Sequence, residues 1–397
     1  MIIRGLVVAV VFAVIPGVAE ALEIRVAPPE VVFLNDTARR IGIRDVMLQN
    51  IAVVNDSAAE VELQRMEITA FRYGQPVLTQ IIAPHHYMYR WTNLKEYFDS
   101  PGTMESQDSI YLFSQLLKGD VTLSDSMTLK PGTAIMVLKR LLVFSDHEKP
   151  DQITIRATAV SPDGRSHIAT TDVAIDQYVP KNEFRFPVRG RWYIAASSSS
   201  RSHHRIRPAH EFAVDLIKIG GDGSSHRGDG TAPTDYYAFG ENVYAVADGT
   251  VVRAVGDIPE TEMPRKGESR RDFAVRVLDA MWDEDPTGRI AEGNLVVVEH
   301  AGGEHSVYVH LKSGSVRVKT GDEVKQGQVL GQVGISGDGF QPHLHFQVNA
   351  GPNPQFSRGL PVVFTNIRPV PFSSTIDMME DRLYMAGEFV ETVSAAQ

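Results

Sequence analysis

Apolar and polar positions alternate over several short stretches between Glu23 and about Gln177. Ile153, Ile155, Ala157 and Ala159 alternate with Thr154, Arg156 and Thr158, and the run stops at Pro162-Asp163-Gly164. A period of two marks a strand with one buried face, and a Pro-Asp-Gly triplet marks a turn. The stretch "LQNIAVVNDSAAEVELQRMEITAF" holds two more β-rich runs joined around Asn55-Asp56, though Val61, Leu63 and Arg65 alternate with their neighbours only in part. "DVAIDQYV" reads as a final strand. The period changes in "MESQDSIYLFSQLLKG", where Ile110, Phe113, Leu116 and Leu117 gather on one helical face and Gly119 supplies a stop. The expectation is a β-sandwich-like accessory domain over residues 22–180 with one inserted helix.

Pro180 and Pro187 in "YVPKNEFRFPVRG" place a boundary near residue 180. Beyond it, Val243, Ala245 and Ala247 share one parity, Asp248-Gly249 turns the chain, and Val251 to Val255 returns. "NLVVVEHAGGEHSVYVHL" repeats the scheme with a turn at Ala301 to Glu304, and Gly321, Gly327 and Gly331 punctuate short valine-rich pieces. A compact antiparallel β domain is expected over residues 181–375, followed by a tail over 376–397, so the chain is mainly β. The polar insertion at 257–292 either walls a groove or extends a surface hairpin.

The N-terminus adds a compartment. Arg4, an apolar run from Gly5 to Ile15 and Ala19-Glu20-Ala21 form the pattern of a cleaved signal peptide over residues 1–21. The apolar run is too short to span a bilayer, so the mature chain is expected without a transmembrane span, in the periplasm or secreted further out. The chain has no cysteine and a formal charge of −10, with 39 basic against 49 acidic residues, which argues against a nucleic-acid footprint. His85 and His86 are adjacent and would face opposite sides of a strand, while Tyr87, Tyr89, Trp91 and Tyr97 suggest a surface through which the first domain meets a sugar or a protein partner.

Candidate chemistry lies in the second domain. His343 and His345 in "PHLHF" sit two apart on a strand and project to one side about 6–7 Å apart. His210 and Asp215 in "HEFAVD" and His310 in "SVYVHL" are the other pieces. A hydrolytic zinc ion takes three protein ligands and leaves one position open, and His210, Asp215 and His345 satisfy that count. His310 and His343 then stand beside the metal to move a proton or hold an oxyanion, which is the equipment of metal-assisted amide hydrolysis. Without cysteine a soft metal is disfavoured, and no carboxylate cluster near these histidines suits calcium or magnesium; iron fits the ligand types, but nothing else in the chain suggests redox work. His300 and Glu299 read as hairpin surface, His305 as exposed, and Tyr308 shares parity with His310. Asn294 is left between a turn hydrogen bond and a place facing substrate.

Taken in order, "HEFAVD", "NVYAVADGTVVRAVG", "GNLVVVEH", "YVHLKSGSVRVKTGDEVKQGQVLGQVGISGDG" and "PHLHFQV" resemble the lysostaphin/LytM-type zinc metallopeptidases, the M23 family, over residues 205–360. The resemblance implies a narrow groove, bound Zn2+ and hydrolysis of peptide bonds in cell-wall peptidoglycan. It implies His210, Asp215 and His345 as ligands, with His310 and His343 acting on water and intermediate. One departure stands out. The family spaces its first histidine and aspartate by four with a glycine between, whereas His210 and Asp215 are five apart. His203 or His204 in "SSSRSHHRIRPAH" is the alternative first ligand. A site lacking its first ligand would leave an inactive domain that binds wall peptides or activates a partner hydrolase. A swinging-arm carrier reading of the glycine-rich turns fails for want of a Met-Lys-Met-like tip.

Overall fold

The computed structural model describes residues 22–28, 31–36, 42–83, 95–198, 202–285, 288–370 and 389–393. The leader-like segment, His85 and His86, the aromatics from Tyr87 to Trp91 and most of the tail lie outside these residues.

Two sheets enclose the first core. Glu23–Ala27, Ile43–Val54, Thr133–Ser145 and Thr122–Leu123 form one in that order. Val31–Phe33, Ser166–Asp176, Gln152–Val160, Val61–Arg72 and Gln75–Ile82 form the other, with Thr128–Leu129 paired to Val61–Arg72. Val46, Leu48 and Ile51 from the first sheet pack with Ile68, Ile153 and Ile155 from the second in one cluster, so the layers form a sandwich. The imperfect alternation near Val61 has a local cause. The register against Gln152–Val160 slips between Leu63 and Arg65, a bulge that turns the side chains after it to the other face.

The single inserted helix is corrected. Thr103–Ser106, Asp108–Tyr111 and Phe113–Leu116 are three short helices, broken where Leu112 takes φ 57. The apolar face was legible, since Ile110, Phe113, Leu116 and Leu117 are all buried. The break spares a continuous cylinder and lets Leu112 itself enter the core at 2% exposure.

The second core lies under a nine-stranded sheet. Its order is Glu323–Val324, Gly249–Val255, Asn294–Glu299, His305–Leu311, Leu344–Asn349, Val214–Ile217, Arg191–Ala196, Phe389–Thr392 and Ile367–Pro369. Phe389–Thr392, within the segment read as a tail, thus pairs with Arg191–Ala196. Asn242–Tyr244 and Val329–Gln332 make a separate ribbon whose Val243 and Leu330 join that core. The two cores touch at Phe33, which leaves the sandwich to pack on Phe212 with ring centroids 6.2 Å apart. Among the described residues no helix is long and apolar enough to cross a membrane.

Candidate metal centre

Asp215 and His345 meet because their strands are neighbours in register. Val214–Ile217 and Leu344–Asn349 run antiparallel with Asp215 directly opposite His345, and opposed positions hold their Cβ atoms about 4.5–5.5 Å apart. Leu216, Leu344 and Phe346 turn into the core on the other side. His345 Nδ1 comes 2.9 Å from Asp215 Oδ1, while its Nε2 donates to Gln347 Oε1 at 2.8 Å. Gln347 is itself fixed, since its amide donates to the Pro354 carbonyl at 2.9 Å. That bond turns the Gln347 oxygen toward His345 and leaves the Nδ1 lone pair on the Asp215 side.

The second approach comes from a 3-10 turn, His203–Ile206, capped by the Ser202 side chain, which accepts from the His204 backbone N–H at 3.3 Å. His204 donates Nδ1–H to the Ala213 carbonyl at 3.1 Å and points Nε2 at Asp215 Oδ2, also 3.1 Å away. His203 Nε2 stands 3.7 Å from the same oxygen on a side chain that is 70% exposed. The nearest ligand atoms of His203, His204 and Asp215 all lie within 4.8 Å of one another. A lone pair cannot face a carboxylate oxygen at these distances without a proton or a cation between them.

His310 and His343 follow the rule of His204. Their Nδ1–H groups donate to the carbonyls of Ser336 and Gln341, each at 2.8 Å, so both offer Nε2 to the groove. Their ring centroids are 4.6 Å apart, His343 Nε2 is 3.8 Å from Asp215 Oδ1, and His310 Nε2 is 3.8 Å from Asp338 Oδ1. His310 takes φ 61 at the end of its strand. A bulky residue in this region departs from strand alternation, which is why its ring reaches Ser336 while Tyr308, of the same parity, points into the core and accepts the Val246 N–H at 2.9 Å. His210 packs against His345 with ring centroids 5.0 Å apart and forms no ion pair with Asp215 among the described residues.

The electrostatics favour an ionised carboxylate at Asp215. Burial works against the Asp215 charge, but the close contacts with His204 and His345 outweigh it and hold the carboxyl well below its usual range. Burial pushes His210 and His310 well below an ordinary imidazole. One anionic oxygen ligand with neutral ring nitrogens is a set that suits a borderline divalent cation.

These side chains line a groove of about 710 Å³. Its wall includes Leu278, Ala291 and Glu292, and Phe273 packs on Phe340 with centroids 5.5 Å apart, so the 257–292 insertion is a wall of the groove. Three polar residues read as surface or left open are structural. His305, 7% exposed, shares a hydrogen bond with the Gly303 carbonyl, and His300, 4% exposed, does so with the Asp248 carbonyl and the Ser306 hydroxyl. Asn294 is wholly buried and donates to the Ile258 and Leu311 carbonyls. Gln347 was missed, although its place two residues after His345 puts it on the same strand face.

The family model described as Peptidase family M23 matches residues 275–356. That span contains His310, His343 and His345 but stops short of Asp215 and the three upstream histidines. Among curated relatives, the chain is 45% identical over 60 residues to the cell division protein DipM of Caulobacter vibrioides, covering 15% of this chain and 10% of that one. It is 32% identical over 120 residues to the DD-carboxypeptidase/endopeptidase Mpg of Neisseria meningitidis serogroup B, covering 30% and 22%. It is 42% identical over 55 residues to the peptidoglycan DD-endopeptidase ShyC of Vibrio cholerae, covering 14% and 12%. The chain thus spans less than a quarter of the length of each of these relatives.

Proposed function

We propose, from the match of residues 275–356 to Peptidase family M23 and the site beside it, that the protein is a zinc-dependent endopeptidase of bacterial cell-wall peptidoglycan. The observation that carries the reading is the pair of ring nitrogens, His204 Nε2 and His345 Nδ1, set at 3.1 and 2.9 Å from the two oxygens of one buried carboxylate. We take His204, Asp215 and His345 as the residues that hold the metal. Two tetrahedral ligands, each about 2.0–2.1 Å from zinc, stand roughly 3.3 Å apart, close to both separations. His203 stands farther off, at 3.7 Å, and is mostly exposed, and His210 packs on the His345 ring. Both histidines of the chosen set have their second nitrogen tied to a carbonyl oxygen, the arrangement that fixes a ligand's tautomer.

Zinc bound there supplies a Lewis acid that polarises the scissile carbonyl and acidifies water. The chain's own residues do the rest. His310 and His343, with Nδ1–H committed to backbone carbonyls, present Nε2 as an acceptor and take the proton of the attacking water. The resulting imidazolium returns that proton to the leaving amine as the carbon–nitrogen bond breaks. Asp215, ionised throughout the working range, never competes for it. The groove walls orient the peptide, and the names of the relatives Mpg and ShyC support a wall-peptide substrate. The leader-like first 21 residues support action in the periplasm, where that substrate lies.

Purified sacculi digested with zinc-loaded protein should release muropeptides whose cross-links or stems are cut, and chelator should stop the release. Zinc bound stoichiometrically without any cleavage would turn the domain into a wall-binding or activating module.

A further inference from the structure

The turn that presents His204 is held from outside the peptidase sheet. Arg205, the next residue, is 1% exposed and bridges two buried carboxylates. Its Nη1 donates to Asp45, which lies in the strand Ile43–Val54 of the N-terminal sandwich, and its Nη2 donates to Glu211 at 3.2 Å. Asp45 is 1% exposed and Glu211 is wholly buried. Asn35, also of the sandwich, donates to Asp45 Oδ1 at 3.1 Å and to the Ser198 carbonyl at 2.7 Å. Arg358 Nη2 reaches Glu211 from the far side at 3.4 Å. The stretch from Ser198 to Glu211, which contains His203, His204 and His210, is therefore gripped at its start and middle by the N-terminal domain.

Removing a guanidinium and a carboxylate from water is costly, and the cost is recovered only when both partners are in place. The turn accordingly has one favoured position, the one in which Arg205 reaches Asp45. His204 adjoins Arg205, and its only other described side-chain tie outside the histidine and aspartate cluster is the bond to the Ala213 carbonyl. His210 stands five positions before Asp215, and His204 eleven positions before it. A ligand so far from its partner along the chain needs an anchor that strand register cannot supply.

We propose that Asp45 is a positioning residue for the metal site: acting through Arg205, the N-terminal domain sets His204 against Asp215, and the site is complete only when that domain is docked. This rests on the reading of His204 as a ligand. The junction holds a second contact outside the His203–Ile206 turn, in which the Tyr178 hydroxyl donates to Glu304, a carboxylate also held by the Lys181 N–H and the Asn182 amide. The Tyr178–Glu304 contact joins the same two parts of the chain without touching the His203–Ile206 turn, so it separates general docking from positioning.

The test uses the full-length protein with Asp45→Ala, the isosteric Asp45→Asn and, as control, Tyr178→Phe. Zinc affinity is measured by competition with a chromophoric chelator, ligand geometry by the visible spectrum of the Co2+-loaded protein, and the turn itself by amide exchange over residues 202–211 in the metal-free protein. Asp45→Ala should weaken zinc about 10- to 100-fold, the usual effect of losing a group that orients a ligand. It should also change the Co2+ spectrum and speed exchange in the turn. Asp45→Asn, which keeps an acceptor oxygen and loses the charge, should fall between; if Asp45→Ala does not fold, this variant decides. Tyr178→Phe should match wild type in all three. Wild-type affinity and spectrum in the Asp45 variants would overturn the proposal, as would an equal loss in Tyr178→Phe. Should wild type bind neither metal, the ligand assignment fails and the exchange data alone decide: unchanged exchange in the Asp45 variants overturns the anchor.

Discussion

Six histidines line the groove around Asp215, and in four of them the hydrogen bond on the ring's second nitrogen sorts their roles. His204 and His345 are pinned on one side and aimed at the carboxylate on the other, whereas His310 and His343 are pinned alike and aimed into the groove. His204→Ala and His345→Ala should each lose stoichiometric zinc by elemental analysis. His343→Ala should keep its zinc while hydrolysis falls about 10²- to 10⁴-fold; turnover at the wild-type rate in that variant would remove His343 from the chemistry. That His345, His343, His310 and Asp215 meet at one groove was legible, because Asp215 and His345 lie on strands whose apolar neighbours set their faces; the turn of His310 at φ 61 was not. His204, here proposed as the first ligand, was legible only as an alternative to His210. A 3-10 turn of four residues has no periodicity to read, and His210, standing just before the aspartate, drew the expectation instead. His300 and His305 looked exposed because a histidine bonded to backbone carbonyls carries no mark of burial in its neighbours.

At the scale of elements, the site is where three pieces of chain close on a sheet: the His203–Ile206 turn, the loop before Leu344–Asn349, and the insertion. The loop and the insertion approach so tightly that a Cβ on Gly337, which has φ 88, would stand 2.4 Å from the Ala291 carbonyl oxygen. A Cβ on Gly293 would stand 2.3 Å from the Ser336 carbonyl oxygen. That approach puts the Ser336 carbonyl where His310 needs it. Gly337→Ala should therefore cost at least about 2 kcal/mol from its left-handed backbone and the clash. It should also depress hydrolysis more than zinc affinity; urea denaturation beside zinc titration checks both. The strands were readable from their alternation, and the insertion's polarity marked its presence but not its face. The break at Leu112 left no trace, since leucine is a good helix former and only tertiary packing places it at positive φ.

For the molecule as a whole, Phe33 of the sandwich enters the second core and Asp45 of the sandwich pairs with the buried Arg205, which couples the proposed metal site to domain docking. Ligands that bind only the folded chain stabilise it by mass action, by about 4 kcal/mol at a thousandfold excess over Kd. Zinc should raise the midpoint of thermal unfolding, and chelator should return it to the metal-free value. An unchanged midpoint at saturating zinc would contradict a site built from folded-state geometry. The sandwich and the compact β domain were both legible as classes, but their junction was not, because a buried arginine and aspartate 160 residues apart look like any surface charges in sequence. The most direct measurement is anomalous diffraction at the zinc edge from crystals grown with zinc. The account predicts one strong peak bounded by His204 Nε2, the Asp215 carboxylate and His345 Nδ1; no peak there, or one ligated by His210 in place of His204, would contradict it.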